Sequence, residues 1–539
     1  MTAGRTGRVV LLVAALLAAL LTGCGDTETG PNTISYNGTE PANPLIPGDT
    51  TESGGVKVIG ALFRGLVEYD PRSGEPRNAV ADRIDTDDAR VYRITLRRGW
   101  TFHDGSPVTA RSFVDAWNYT AYAPNGQHGA AFLSHIDGFD LVNPADPDGS
   151  GPLAAPQPSA RDLSGLRVVD DLSFVVMLSA PFSAFPTQLG YAAFFPLPAS
   201  FFRDRAAYER HPVGNGPFRF VSREPGRNIV LTRFDRYRGQ RPRIPGVEFR
   251  FYPSLEAAYA DVVAEKLDFL EITPASALAG GRYKAELAGR HVSQTYLGIQ
   301  SISFPLYDRR YADPRLRRAL SMAIDRQYVI DRVFGGDKQV ADGLIPPQIP
   351  GRIAGQCGEL CTYQPLRAKE LFDATGFSGP IELTSNNDSA NQEWMEATCR
   401  TVTAALGREC RFVPVATLGE FRTMIDTQRI PGIYRSGWVA DYPAIENFLN
   451  PMYRTGAAVN GGRYSNPEVD ALLAQADAAP TEQQAFALYQ QAERKILADM
   501  PAIPFWFQTV QSGWSHRLRD VVVTPFRELD LISVTLNGD

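Results

Sequence analysis

Short segments of the chain alternate apolar and polar residues, a pattern typical of β-strands that bury one face. The segments with this pattern are TISYNGT (33–39), VYRITLRRG (91–99), LSFVVMLS (172–179) and GVEFRFYP (246–253). The sequence therefore predicts a strand at each of these places.

Longer segments repeat apolar residues at helical spacing and carry residues that start or stop helices. In the segment 313–336, Asp313 suits the N-cap, Pro314 the first helical position and Gly335 the terminator. Further helices are predicted over 110–122, 466–476 and 480–501. Because strands and helices do not alternate strictly along the chain, the pattern predicts a mixed α/β protein.

The first residues have the organisation of a secretory leader. Arg5 and Arg8 precede an uninterrupted apolar run, Val9–Leu21, which is shorter than the ~20 residues that span a bilayer. The run closes on LTGC (21–24), which resembles a bacterial lipobox. That resemblance implies a leader over 1–23, attachment of lipid to the Cys24 thiol and a flexible tether over 24–31. An ordinary secretory signal with a chance cysteine is the alternative.

Composition and charge narrow the class of partner. The chain has 539 residues, 44% of them hydrophobic, and a formal net charge of −6. The leader carries two arginines and no acids, so its removal leaves the mature chain near −8 (−6 minus 2). Since nucleic-acid binding needs a basic surface, we expect no nucleic-acid partner.

Four cysteines remain in the mature chain beyond the lipidation site. They are Cys357, Cys361, Cys399 and Cys410. An even number in an exported protein indicates disulfides, and we expect the pairs that are local in sequence, 357 with 361 and 399 with 410. A zinc site is the rival, but the paired C-x-x-C spacings and a neighbouring histidine are missing.

Motifs of enzymatic chemistry are absent from the sequence. It contains no GxxxxGK[ST] loop, no HExxH and no GxSxG elbow. The six histidines are scattered, and we expect His103, in FHDG, to be satisfied by local hydrogen bonds rather than to act in catalysis. The sequence therefore predicts a protein that is not an enzyme and that needs no cofactor or metal.

Four blocks of the sequence, in order, resemble one known family. They are GLVEYDPRSGEPRNAVADRIDTDDARVYRITLRRGWTFHDGSPVTARSFVDAW (65–117), HPVGNGPFRF (211–220), RRYADPRLRRALSMAIDR (309–326) and GWVADYPAIENFL (437–449). The chain is thereby identified as similar to the extracytoplasmic solute-binding proteins of peptide ABC importers, bacterial solute-binding protein family 5. It departs from their pattern at Asn215, where threonine is usual, and at Ile445, where proline is common.

The resemblance implies a fold and a division into domains. The expected fold is α/β with two lobes of the type II periplasmic-binding-protein class, joined by a hinge, and an additional domain on lobe I. The implied ranges are 32–66, 203–298 and 510–539 for lobe I, 67–202 for the additional domain and 299–509 for lobe II. Two strands are expected to cross the hinge, near residues 298 and 509.

The resemblance also assigns a role to Asp441. In peptide binders of this family, the aspartate of the GW-x-x-D block pairs with the α-ammonium group of the ligand, and Asp441 occupies that position. Trp438, Arg435 and Tyr442 belong to the same stretch and are expected to contact the ligand. An internal ion pair of Asp441 with Arg435 or another arginine is the alternative.

The remainder of the ligand is expected to be held by its backbone. Relatives bind peptides as an extended strand, and Ser53, Gly54 and Gly55 lie where one contacting segment is expected. Glycines there would let a second backbone approach closely. The aromatic segment PFWFQ (504–508) is expected either to wall the site near the hinge or to belong to the core.

The predicted function is therefore capture and delivery without bond chemistry. Peptides are taken up in the cleft, and the closed protein, monomeric when free, docks on an ABC permease served by separate ATPase subunits. The lipid at Cys24 holds it at the outer face of the cell membrane. The alternatives are a haem, nickel-complex, oligosaccharide or opine ligand on the same fold, or a surface interaction protein without transport.

Overall fold

The structure, a computed structural model, describes residues 32–146, 156–387, 391–457 and 459–538, and for Ser53 the backbone alone. The predicted leader, the lipidation site and the tether lie outside these ranges. Within them, no helix is long and apolar enough to cross a membrane.

The strands carry the framework of the molecule, and all four predicted ones are present. In chain order they are β1 (Thr33–Gly38), β2 (Val67–Tyr69), β3 (Pro76–Asn78), β4 (Ala81–Asp85), β5 (Val91–Leu96), β6 (Leu166–Asp170), β7 (Ser173–Met177), β8 (Phe218–Glu224), β9 (Asn228–Arg233), β10 (Gly246–Phe251), β11 (Phe269–Leu270), β12 (His291–Ser303), β13 (Gln339–Val340), β14 (Ile381–Asn386), β15 (Cys410–Val415), β16 (Ile433–Val439), β17 (Ala502–Trp514), β18 (Leu518–Arg519) and β19 (Thr535–Leu536).

The helices cover the faces of the sheets. In chain order they are α1 (Ser53–Leu62), α2 (Ala110–Ala121), α3 (Phe139–Val142), α4 (Phe185–Gln188), α5 (Ala199–Arg203), α6 (Arg205–Arg210), α7 (Leu255–Val263), α8 (Ala275–Leu278), α9 (Arg282–Glu286), α10 (Pro314–Met322), α11 (Arg326–Phe334), α12 (Pro365–Asp373), α13 (Gln392–Leu406), α14 (Leu418–Asp426), α15 (Glu446–Tyr453), α16 (Pro467–Asp477) and α17 (Glu482–Asp499). The mixed α/β prediction is confirmed.

One large sheet runs through the molecule in the order β15-β14-β16-β12-β17-β11-β1-β10-β9-β8, with β13 added on β17. It joins two large hydrophobic cores. The first core takes its side chains from residues 34–249, Phe269 and 510–536, and the second core from residues 297–507. The sheet contains both parallel and antiparallel strand pairs, as is typical of a mixed α/β architecture.

Strands β12 and β17 link the two cores. Residues 291–295 of β12 pair with residues 509–513 of β17 beside the first core. Residues 299–303 of β12 pair with residues 502–507 of β17 beside the second core. The pairing is interrupted between Thr295 and Ile299, where the chain passes from one core to the other. A crossing near residues 298 and 509 therefore agrees with the expected position of the hinge.

A separate four-stranded sheet, β4-β5-β7-β6, lies within the range expected for the additional domain. Helix α2 packs beside it through Phe113 and Trp117, which both contact Phe174 of β7. The apolar residues of this sheet belong to the same continuous core as β1 and β10. The four-stranded sheet is therefore packed onto the first core and has no core of its own.

The predicted helix over 313–336 is divided in two. Helix α10 begins on Asp313, whose carboxylate accepts from the N–H of Arg315, and ends at Met322. A second N-cap, Asp325, then accepts from the N–H of Tyr328 and starts α11, which Gly335 ends in the left-handed conformation. The single-helix prediction is wrong because the sequence contains two N-cap aspartates.

The glycine turn at 214–216 is fixed by a close backbone approach. A Cβ on Gly214 would lie 1.9 Å from the carbonyl oxygen of Leu62, and one on Gly216 would lie 2.5 Å from the N atom of Phe63. Between them, the Asn215 amide donates to the carbonyl of Arg64 (2.9 Å) and accepts from its N–H (3.0 Å). This turn thus attaches α1 to β8, a scaffold role.

Both disulfides join residues that are close in sequence. Cys357 is bonded to Cys361, and Cys399 to Cys410. This is the pairing that the sequence analysis expects. The second bond ties α13 to β15 at the outer edge of the large sheet.

Candidate functional site

Strand β16 carries the GW-x-x-D block and has an open edge. It pairs with β12 from Tyr434 to Val439, but with β14 only at Ile433 and Tyr434. Beyond Tyr434, the edge opposite β12 has no strand partner among the described residues. An edge of this kind can take up an extended ligand as a further strand, although the Ser436 carbonyl already accepts from the Gln300 amide.

The chain leaves β16 directly before Asp441, and one side chain of α15 positions this turn. The Oδ1 atom of Asn447 accepts from the N–H of Asp441 (3.0 Å) and from the indole N–H of Trp438 (3.2 Å). Asn447 is 5% exposed and therefore fixed by its surroundings. It holds the backbone of Asp441 and the ring of Trp438 in one arrangement.

The carboxylate of Asp441 is poorly solvated and lacks a cation. Burial raises its pKa, while hydrogen bonds from Asn447 and from its own backbone act in the opposite direction. No arginine, lysine or histidine of the described ranges forms an ion pair with it. The expected alternative, an ion pair with Arg435, is therefore absent from this conformation.

Asp441 lines a cavity of about 320 Å³, and it is the one lining residue from the second-core range 297–507; the other walls come from residues 36–249 and 524–532. The first-core side contributes the aromatic residues Tyr36, Tyr69 and Tyr191, and the segment after β17 contributes Phe526. The Phe526 ring stacks on Tyr69 with centroids 5.2 Å apart. Burial, together with the negative charge of Asp441, raises the pKa of both Tyr69 and Tyr191.

The cations that line this cavity are already paired with acids. Lys57 forms an ion pair with Glu271. The guanidinium of Arg64 lies 3.5 Å from Glu68, and that of Arg77 lies 2.7 Å from Asp70. None of them is left to neutralise Asp441.

Arg435 and Trp438 line a second cavity, of about 600 Å³, beside the open edge of β16. Its other walls come from α14, through Phe421 and Ile425, and from Met452 of α15. Arg435 is half-buried, and its guanidinium donates to the Oδ1 atom of Asn386 (3.4 Å). The structure thus places these two predicted residues on the same side of the cleft as Asp441 but in a neighbouring pocket.

Tyr442 has a different environment from its neighbours. It is 3% exposed, and its hydroxyl donates to the Oε2 atom of Glu446 (2.6 Å). Burial, with Asp477 nearby, raises the pKa of Glu446 to about 7. In this conformation Tyr442 belongs to the interior below the site and lines neither cavity, so a direct ligand contact has no support here.

The predicted contact segment at Ser53, Gly54 and Gly55 forms the first turn of α1. A Cβ on Gly54 would lie 2.6 Å from the carbonyl oxygen of Thr39, and one on Gly55 would lie 2.1 Å from Thr50. The close approach at both glycines is therefore to the protein's own chain. The next two residues, Val56 and Lys57, line the cavity.

Two further expectations concern aromatic and histidine residues. Phe505, Trp506 and Phe507 are 0–3% exposed within the second core, so the core alternative holds for these three aromatic residues, while Gln508 lines the 600 Å³ cavity. His103 accepts from the N–H of Gly214 (3.1 Å), its other ring nitrogen lies 3.2 Å from the Gly216 carbonyl, and burial lowers its pKa to about 4. It is satisfied locally, as predicted.

Sequence reasoning missed most of the cavity lining. Tyr69, Tyr191, Lys57 and Glu528 have no motif of their own that points to a ligand, and only the fold brings them opposite Asp441. In the part of the chain that the structure describes, no group of His, Cys, Asp and Glu has the geometry of a metal site.

Comparisons with known proteins give the same picture of the whole chain. A family model described as bacterial extracellular solute-binding proteins, family 5, middle part, matches residues 75–460. The chain is 27% identical over 498 residues to the "probable deoxycholate-binding periplasmic protein YgiS" of Escherichia coli, covering 90% of this chain and 89% of that one. It is 25% identical over 519 residues to the periplasmic oligopeptide-binding protein OppA of the same organism, covering 92% of each.

A solved structure supports the fold. The unliganded open form of the periplasmic murein tripeptide-binding protein MppA superposes with a TM-score of 0.80 at 23% identity, covering 94% of this chain and 97% of that one. A likeness at this identity establishes the fold alone. The predicted two-lobed fold is confirmed.

Proposed function

Because this chain belongs to family 5 of the bacterial extracellular solute-binding proteins, we propose that it captures peptides between its two cores and delivers them to a membrane permease. The single observation that carries the peptide assignment is the carboxylate of Asp441, which lines the cavity and forms no ion pair with the described residues. The α-ammonium group of a peptide supplies the missing charge.

The electrostatics of this pairing favour binding. Burial raises the pKa of this carboxylate, and an ammonium group at hydrogen-bond distance offsets the cost of its desolvation. The hydrogen bonds of such a pair are charge-assisted and roughly twice as strong as neutral ones. Removing one partner of a buried ion pair typically costs about 3–5 kcal/mol. That cost corresponds to at least about a hundredfold loss of affinity.

The open edge of β16 suits the rest of a peptide. From Arg435 to Val439 the strand is paired on one side only, so an extended ligand adds its main-chain hydrogen bonds on the other. The 600 Å³ cavity beside this edge receives ligand side chains between Phe421, Met452 and Trp438. Main-chain bonding of this kind accepts many side chains.

A second candidate ligand comes from the similarity to YgiS, whose printed description names deoxycholate. A bile acid carries a carboxylate. Because Asp441 already lacks a cation, a second anion in its cavity would be repelled. The site therefore favours an amine-bearing ligand over a bile acid.

The lipid anchor and the partners complete the proposal. The LTGC sequence at 21–24 supports lipidation of Cys24, which would hold a monomeric protein at the outer face of the membrane.

Family membership supports a permease with separate ATPase subunits as the recipient, and transport without bond chemistry as the mode of action. The lobe and additional-domain ranges given by the resemblance are proposed with it, supported by the two cores and the crossing strands.

Isothermal calorimetry with a tripeptide and its N-acetylated form tests the assignment. Acetylation removes the positive charge but keeps the backbone, so we expect the acetylated peptide to bind at least about a hundredfold more weakly. Equal affinities of the two peptides would refute the pairing with Asp441. Mass spectrometry of a copurified ligand separates peptide capture from the non-peptide alternatives.

A further inference from the structure

The 320 Å³ cavity has more acids than cations in its walls. The acids are Glu68, Asp70, Asp441, Glu528 and Asp530, and the cations are Lys57, Arg64 and Arg77. Each cation has an acidic partner, and for Lys57 that partner, Glu271, lies outside the lining. The cavity wall therefore contains two more acids than cations (five against three).

Glu528 is the second acid without a partner. Its carboxylate forms no hydrogen bond or ion pair with any residue in the described ranges. Asp530, by contrast, caps its own turn, accepting from the N–H of Ile532 (3.2 Å). Asp441, Glu528 and Asp530 thus form no ion pair with the described residues, and of these three Glu528 alone also lacks a hydrogen bond to its carboxylate there.

The backbone around Glu528 holds it in place. Its carbonyl accepts from the N–H of Thr524 (2.8 Å), and its N–H donates to the hydroxyl of Thr524 (3.3 Å). The N–H of the next residue, Leu529, donates to the hydroxyl of Tyr36 (3.4 Å). The same turn presents Phe526 to the cavity, stacked on Tyr69. Glu528 is therefore fixed in the wall beside an aromatic surface.

The surroundings of Glu528 disfavour its charge in the empty cavity. Burial raises its pKa to about 7, although Lys57 and Arg527 act in the opposite direction and Glu271 adds to the rise. Lys57 is held by Glu271 and lies over the Tyr36 ring at 5.2 Å, so it is not free to neutralise a second acid. A cationic group of a bound ligand would stabilise the ionised form of Glu528.

Resting on the proposed function, we propose that Glu528 binds a second cationic group of the ligand, so that the protein selects peptides that begin with lysine or another basic residue. A lysyl residue carries its two ammonium groups on one four-carbon stem. With the α-ammonium on Asp441, the stem lies against Tyr69 and Phe526, and the side-chain ammonium pairs with Glu528. The aromatic faces also attract the cation directly.

Calorimetry with two matched peptides tests this inference. Lys-Ala-Ala and norleucyl-Ala-Ala share a linear side chain but differ in its charge. We expect the wild-type protein to bind the lysyl peptide at least about tenfold more tightly. In Glu528→Gln that preference is lost, while the norleucyl peptide binds as before. Asp530→Asn, which changes a cavity acid that caps its own turn, is the matched control and keeps the preference.

The outcomes separate this inference from the proposed function. Equal binding of the two peptides by the wild-type protein, or a preference that survives in Glu528→Gln, overturns the role of Glu528. The proposed function stands without the role of Glu528 if the norleucyl peptide binds and its N-acetylated form does not. Failure of both peptides to bind overturns both proposals.

Discussion

At the scale of single residues, the site depends on charges that the chain leaves unmatched. Asn447 fixes the backbone of Asp441 and the ring of Trp438, so the carboxylate is held in place before any ligand arrives. The resemblance of the motif block singles out Asp441 because its position within GWVADY is local, and its contact with a ligand stays a prediction. Tyr69, Tyr191 and Glu528 have no such local signal, since only the fold brings them into the same cavity from distant parts of the chain.

Replacing Asp441 by asparagine tests this residue directly. The amide keeps the shape of the side chain but cannot neutralise an ammonium group, so Asp441→Asn is expected to bind peptides at least about a hundredfold more weakly. Its Tm is expected to be unchanged or higher, because a buried charge is removed. Calorimetry and thermal melting measure the two effects. Unchanged affinity would return Asp441 to a structural role.

The affinity for peptides is expected to fall at acid pH. The pKa of Asp441 is raised in the empty site, and only its ionised form attracts the ligand. As the pH falls from neutral towards that raised pKa, protonation competes with binding, so affinity decreases on acidification. Titrations from neutral to acid pH should show the decrease in the wild type and a weaker one in Asp441→Asn. A pH-independent affinity would contradict the ion pair.

At the scale of elements, local sequence predicted where most strands and helices lie but not how they pair. The N-caps and the alternation of apolar residues located β1, β5, β10 and α17 because these signals act within a few residues. These local signals do not predict that one edge of β16 is unpaired. The edge is unpaired because β14 stops pairing at Tyr434, a property of sheet register.

The disulfide between α13 and β15 is expected to stabilise the edge of the sheet. It closes a loop of sequence separation 11, for which chain entropy suggests roughly 2–3 kcal/mol. The double variant Cys399→Ala, Cys410→Ala should therefore have a lower free energy of unfolding in denaturant titrations. Its peptide affinity should be unchanged, because neither cysteine lines a cavity. Equal stability of the variant and the wild type would contradict this.

At the scale of the whole molecule, two cores share one sheet through β12 and β17, and Asp441, from the second-core range, closes a cavity whose other walls lie on the first-core side. This is the cavity that we propose for the ligand. A ligand that touches both sides favours the closed arrangement of such a hinge. The family blocks predicted this architecture. They did not predict that the additional sheet shares the first core, because core continuity depends on packing between distant segments.

The stability of the empty protein is expected to fall as the pH rises. Burial raises the pKa of Glu446 and of Glu493 to about 7, above the usual 4.5. The folded state therefore holds protons that the unfolded state has released, and the resulting stability is lost as the pH rises through about 7. Each pKa unit corresponds to about 1.4 kcal/mol.

Melting curves should show a lower Tm at about pH 8 than at about pH 5.5, and Glu446→Gln should reduce the difference. A Tm that rises over this range would contradict the assignment.

The most direct test is a crystal structure of the protein with a bound tripeptide. The account predicts that the peptide α-ammonium nitrogen lies about 2.7–2.9 Å from a carboxylate oxygen of Asp441, with the ligand backbone along the open edge of β16. An Asp441 carboxylate bridged to an arginine of the same chain, with the peptide bound elsewhere, would contradict it.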